Sequence, residues 1–203
     1  MRALTLLSSG LLIPLSLFSQ DSTAKPSTPF RRGQWATQFT VGSNFGSLGF
    51  LKFRTPTRAL VLDVQLGGYH SEDATEDSSG TSQFAGLNSS AFTQLRFGWR
   101  RYGGGEPKIV THYTFGLLAG FNHSATAGRG GNSIQQNGWS WGLFGDLGGT
   151  YLVTPKLGLG AMASGSLSYS TSTTEVQPVG GKSHRWQHGG SAVSASLVAT
   201  LFF

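Results

Sequence analysis

The chain has 203 residues, enough for one domain, with 38% hydrophobic residues, only 12% charged residues, 30 glycines and no cysteine. A soluble domain carries roughly 25% charged residues, so this surface is short of charge, and the absence of Cys excludes disulfides, thiolate metal sites and lipid attachment through a cysteine. The formal charge of +6 is spread along the chain without a basic stripe or a recognisable module, so nucleic-acid binding is not expected.

In chain order, Arg2 precedes the apolar stretch Ala3 to Phe18, which is broken by Ser8, Ser9, Gly10 and Pro14. This pattern predicts an exported protein with a signal peptide over residues 1–24. Ser22-Thr23-Ala24 supplies the small residues that signal peptidase selects, and a cut near Gln20 is the alternative. Residues 25–33, with Pro26, Pro29, Arg31 and Arg32, read as a periplasmic lead-in, because proline denies a β-ladder its donors.

From Gln34 onward no apolar run approaches the roughly 20 residues of a membrane-spanning helix. Instead side chains alternate with a period of two in eight segments, approximately 34–45, 47–54, 58–70, 87–102, 108–123, 138–153, 156–170 and 190–203. A period of two is the signature of a strand with one face in an apolar medium. Almost every segment is long enough for the ~9 to 11 tilted residues that cross a bilayer. Connections at Thr55-Pro56-Thr57, Gly103 to Pro107 and Thr154-Pro155 are short, whereas 71–86, 124–137 and 171–189 are long and polar. Short turns on one side and longer loops on the other are what an outer-membrane barrel requires. The expected fold is therefore all-β, an eight-stranded antiparallel up-and-down transmembrane β-barrel over residues 34–203.

One face of each strand is assigned to lipid. It includes Trp35, Phe39, Val41 and Phe45 on the first strand, Leu60, Leu62, Val64 and Leu66 on the third, and Leu95, Phe97 and Trp99 on the fourth. The second strand resists this assignment, since placing Lys52 in the lumen turns Leu48 and Phe50 inward with it. Aromatic belts are expected at Trp35, Trp99, Tyr151 and Phe203 on the periplasmic side, and at Phe45, Phe121, Trp139, Trp141 and Tyr169 on the outer side.

With its leader, amphipathic strands, long outer loops and terminal Phe, the chain resembles the small eight-stranded outer-membrane barrels of the protein A and protein X types. That resemblance implies a C-terminal signal read by the barrel assembly machinery, which Ser196, Leu201 and Phe203 match, while Val198 stands where the family has Gly. It also implies a place in the outer membrane beside lipid and lipopolysaccharide, as a monomer.

An eight-stranded barrel has a lumen just wide enough for its side chains. Asp63, Arg96, His112 and Asp146 are predicted to face it as an interior polar cluster that neutralises itself, because buried charges need partners. Two further groups are candidates on the outer loops. Glu72, Asp73, Glu76 and Asp77 form an acidic loop without an established calcium-loop spacing. Lys182, His184, Arg185 and His188 form a basic rim suited to lipopolysaccharide phosphates. No metal or cofactor is expected. An enzyme is not expected either, because His123 and Ser124, the one suggestive pair, are adjacent and point to opposite faces of a strand. The expected role is structural or surface-interacting, carried by the outer loops, with a small channel as the alternative and a lipid A-modifying enzyme behind it.

Overall fold

The computed structural model describes residues 29–76, 82–103, 108–128, 133–177 and 181–203. The expected leader and the first residues of the lead-in lie outside this set, as does Asp77. Eight strands follow in order: β1 (Trp35–Val41), β2 (Phe45–Thr55), β3 (Arg58–Glu76), β4 (Ser82–Tyr102), β5 (Ile109–Gly128), β6 (Ser133–Thr154), β7 (Leu157–Gln177) and β8 (Gly181–Phe202). Each pairs antiparallel with its neighbour, and β1 pairs with β8 to close the barrel. At that seam Trp35 and Phe203 exchange backbone hydrogen bonds of 3.1 and 3.0 Å. The rim that carries this seam and the short turns is called the terminal rim below, and the opposite one the hairpin rim.

The alternation of side chains decides which face meets what. Outward positions hold Leu62, Val64, Leu95, Phe97, Phe115, Leu117, Leu143, Leu147, Leu167 and Leu197. Leu167 and Leu197 are 70% and 72% exposed in the isolated chain. An apolar girdle of this extent is far larger than the few hundred Å² a water-soluble monomer tolerates, so the outer face requires an apolar medium.

Three expectations are corrected. First, β3 to β8 run well past their expected hairpin-side ends, so Glu72, Asp73 and Glu76 lie on β3, and Lys182, His184, Arg185 and His188 lie on β8. These extensions are rich in Ser, Thr and Gly on both faces, and alternation disappears where neither face is apolar. The ladder continues regardless, for example through Thr171 opposite Trp139 and Trp186. Second, Phe45 opens β2 instead of ending β1. Gly42 donates to the Phe45 carbonyl at 2.9 Å to close the turn, and the Phe45 ring occupies the space above Gly42, where a Cβ would lie 2.2 Å from it. Third, Leu48, Phe50 and Lys52 all face outward. Lys52 lies opposite Trp35, and its ammonium stands 4.7 Å from the Trp35 ring centroid near the terminal rim. A long aliphatic stem lets the charge snorkel to that rim, so no lumen position is needed for it.

Candidate functional site

The inward set of side chains builds the lumen in layers. At the terminal rim Phe30, from the segment preceding β1, enters the barrel and is only 4% exposed. Its ring lies 4.6 Å from Phe53, 4.7 Å from Tyr102 and 5.0 Å from Phe202, so it touches β2, β4 and the last strand at once. The backbone is held in place behind it, with Gly33 donating to the Phe53 carbonyl at 2.8 Å and Arg31 N–H donating to Gln34 Oε1 at 2.9 Å. Gly33 has φ +84°, which a residue without a Cβ adopts at no steric cost. Leu51, Ala59, Val61, Val110 and Leu152 complete this apolar layer.

Above it lies a charged layer. Arg96 on β4 donates from Nη2 to Asp146 Oδ1 on β6, and its Nη1 is 3.7 Å from Asp63 Oδ2 on β3. All three side chains are at least 93% buried. The guanidinium also lies over Phe144, with 3.8 Å between its central carbon and the ring centroid. Gly98 and Gly116 make room for that ring, since a Cβ at either would come within about 3 Å of it. Arg100, two inward positions closer to the terminal rim, donates to Thr114 Oγ1 at 2.8 Å and to Gln38 Oε1. Two arginines and two aspartates balance, as a low-dielectric interior demands.

The structure therefore brings Asp63, Arg96 and Asp146 together and leaves His112 apart. His112 packs against Tyr102 with 5.6 Å between ring centroids, and neither ring nitrogen has a hydrogen-bond partner among the described residues. Arg100 is the member that sequence reasoning missed. It shares the inward parity of Arg96 on the same strand, so the signal was present in the alternation. Phe30 had no such signal, because a residue outside any strand has no parity.

The space left between Gln38, Asp63, Arg96, Arg100, Phe144 and Met162 is about 10 Å³, roughly one water. Beneath it the aromatic layer closes the terminal rim. The lumen is a blind well with a filled lower half.

The remaining candidates occupy other surfaces. Lys182 pairs with Glu175 of β7 at 2.6 Å, and His184 lies 3.2 Å from Thr173 Oγ1, both on the outer face near the hairpin rim. Trp186 joins Tyr169 and Trp141 in a row of rings 5.9 and 5.6 Å apart. His123 and Ser124 lie on regular strand, and the His123 ring contacts Asn137 Oδ1 at 2.7 Å, so that imidazole is engaged away from the serine. Among the described residues no group of three His, Asp or Glu converges as metal ligands. At the C-terminus Leu201 and Phe203 face outward, while Ser196 faces the lumen and donates to the Met162 carbonyl at 3.3 Å. Val198 is also a lumen residue, between Thr40 of β1 and Gly160 of β7.

No family model matches the chain, and no curated protein does. Among solved structures it is similar to a major outer membrane protein from Thermus thermophilus, at 12% identity over 84% of this chain and 98% of that one, with a TM-score of 0.54. CarO2 of Acinetobacter baumannii is aligned at 10% identity over 84% and 98%, with a TM-score of 0.48. At such identity the likeness concerns the fold. The chain has the architecture of the small eight-stranded outer-membrane β-barrels.

Proposed function

We propose that this protein is exported, inserts in the outer membrane with the terminal rim facing the periplasm, and acts at the cell surface through its three extended hairpins. The observation that carries this reading is the division of the molecule. The lumen is filled from the terminal rim to the Arg96 layer, whereas β3–β4, β5–β6 and β7–β8 continue as polar ribbons beyond the outer aromatic row. Function on a rigid barrel is placed on the connections that project from it. The hairpins present Glu72 on one ribbon and Lys182, His184 and Arg185 on another to envelope or host partners, with lipopolysaccharide phosphates within reach of the basic group.

Outer-membrane fractionation with heat-modifiable migration in detergent gels tests the location. Adhesion or serum-resistance assays with each hairpin shortened to the length of β1–β2 test the role. Full activity after shortening all three would end the surface reading.

Arg96 faces two carboxylates and is bonded closely to only one, which favours a channel that opens by exchange between them as the second reading. Planar-bilayer recording on refolded protein distinguishes the two readings, since the surface reading expects silence. A lipid A-modifying activity stands behind both.

A further inference from the structure

The wall of the barrel is not of even height. β1 and β2 have 7 and 11 residues, whereas β3 has 19 and β8 has 22. The β1–β8 ladder stops at Val41 opposite Leu197, and the β2–β3 ladder stops at Phe45 opposite Gly67. Above the short hairpin two strands are therefore missing, and the wall has a slot between β3 and β8. Among the described residues, Tyr69 to Glu76 have a partner strand only in β4, and Gly181 to Ser196 only in β7. Exposure follows from this. Every residue from Gly181 to Gln187 is exposed, whereas Thr171 to Val176 on β7, with a strand on either side, are half-buried.

A free strand edge offers a row of backbone donors and acceptors to any other strand, and proteins guard such edges with proline, lysine or a bulge. From Gly181 to Gly190 the β8 edge lacks all three. It holds no proline, its ladder with β7 is regular from Val176–Gly181 to Leu167–Gly190, and Lys182 is turned away to Glu175 of β7 at 2.6 Å. The two banks of the slot also differ in sign. β3 carries Glu72, Asp73 and Glu76 beyond the end of β2, whereas β8 holds Lys182 and Arg185 and not one Asp or Glu. Since Glu175 compensates Lys182, Arg185 is the surplus charge of that bank. Alternation sets Arg185 on the face opposite Lys182 and His184, while the 67%-exposed Trp186 offers a ring on the outer face. An acidic strand is therefore attracted to β8 and repelled from β3, because opposite charges across a strand pair stabilise it and like charges do the reverse.

We propose that the slot is a docking site for an extended acidic segment of a partner protein, which adds to the free edge of β8 antiparallel to it, in the place above β1. Main-chain hydrogen bonds supply the attachment, and the side chains that meet Arg185 and Trp186 supply the selection. This rests on the surface reading of the hairpins and names the chemistry of the partner for one of them.

The test is fluorescence anisotropy of labelled synthetic peptides against the full refolded protein in micelles. The probes are a peptide of alternating glutamate and valine, its lysine–valine counterpart, and a glutamate–proline peptide of the same charge that lacks half of the backbone donors. Saturable binding of the glutamate–valine peptide is expected, with the other two at least about tenfold weaker. Arg185→Glu should weaken the glutamate–valine peptide about tenfold. If that variant does not refold, Arg185→Ala takes its place, with about a threefold loss expected. Because the chain has no cysteine, Ser183→Cys, Arg185→Cys and Gln187→Cys can each be cross-linked to peptides carrying one cysteine at successive positions. An antiparallel added strand gives partners two residues apart in reverse order. No saturable binding of the glutamate–valine peptide, equal binding of either control, unchanged affinity in the Arg185 variant or cross-links without that order would overturn the proposal. Hairpin shortening that abolishes adhesion while the peptide fails to bind would end this proposal and leave the surface reading standing, and peptide binding with adhesion unaffected by shortening would do the reverse.

Discussion

The two halves of the lumen are built on the same strands with the same alternation, and they differ in what occupies the inward positions. Towards the terminal rim Phe53, Tyr102 and Phe202 interlock around Phe30, and above them Phe144 and Met162 stand beside a compensated ion cluster. Towards the hairpin rim the inward residues are mostly serine, threonine, glycine and amides, with Phe92 beside Gly67 among them, and many of these side chains are partly exposed. A closed β-ladder satisfies its backbone whichever side chains it carries, so the barrel needs a packed interior over only part of its height. The rest is released from the demands of stability and is free to take on other work.

That comparison makes predictions graded by layer, each readable by urea unfolding in lipid vesicles followed by tryptophan fluorescence. The largest effect belongs to the ions. Arg96→Met leaves Asp63 and Asp146 buried without a cation and should cost about 3–5 kcal/mol, and a loss below about 1 kcal/mol would mean that water reaches this layer. Phe30→Ala removes the aromatic stopper and should cost about 2–3 kcal/mol, below the full loss for a core Phe because the preceding segment can relax. Gly116→Ala comes next. Its Cβ would lie 2.2 Å from the Phe97 carbonyl oxygen and 2.8 Å from the Phe144 ring, so about 1–3 kcal/mol of overpacking is expected.

Two substitutions should do little, and they sharpen the contrast most. His112→Leu removes a ring whose nitrogens have no partner among the described residues, so stability should hold within about 1 kcal/mol or rise; a large loss would reveal a bound water or proton link in that layer. Gln94→Ala, in the open half, should change stability by less than about 0.5 kcal/mol. A cost comparable to that of Arg96→Met would erase the distinction between the halves.

How much of this was legible in the residues depends on the layer. Asp63, Arg96 and Asp146 could be assigned to the lumen because a charge opposite a run of Leu, Val and Phe has only one face to occupy. Arg100 follows from the same rule applied four residues on. His112 shares the parity but not the cluster, since parity says which way a side chain points and nothing about its height relative to residues two strands away. Lys52 misled because a charge near a strand end can face lipid and still reach water. The ribbons beyond the girdle look like loops in the sequence because Ser and Thr on both faces erase the pattern, although the hydrogen-bonded ladder persists there.

The sequence by itself determined the number of strands, the inward and outward faces of every strand but β2 and the side of the barrel on which the connections are long, because each of these is a local consequence of a two-residue repeat against an apolar medium. Only the tertiary structure decided that Phe30 closes one mouth, that Arg96 chooses Asp146 over Asp63, that His112 stands alone and that the upper lumen is open. Those facts depend on register and closure around eight strands, where residues far apart in the chain come to one height, and a repeat along a single strand carries no information about that height.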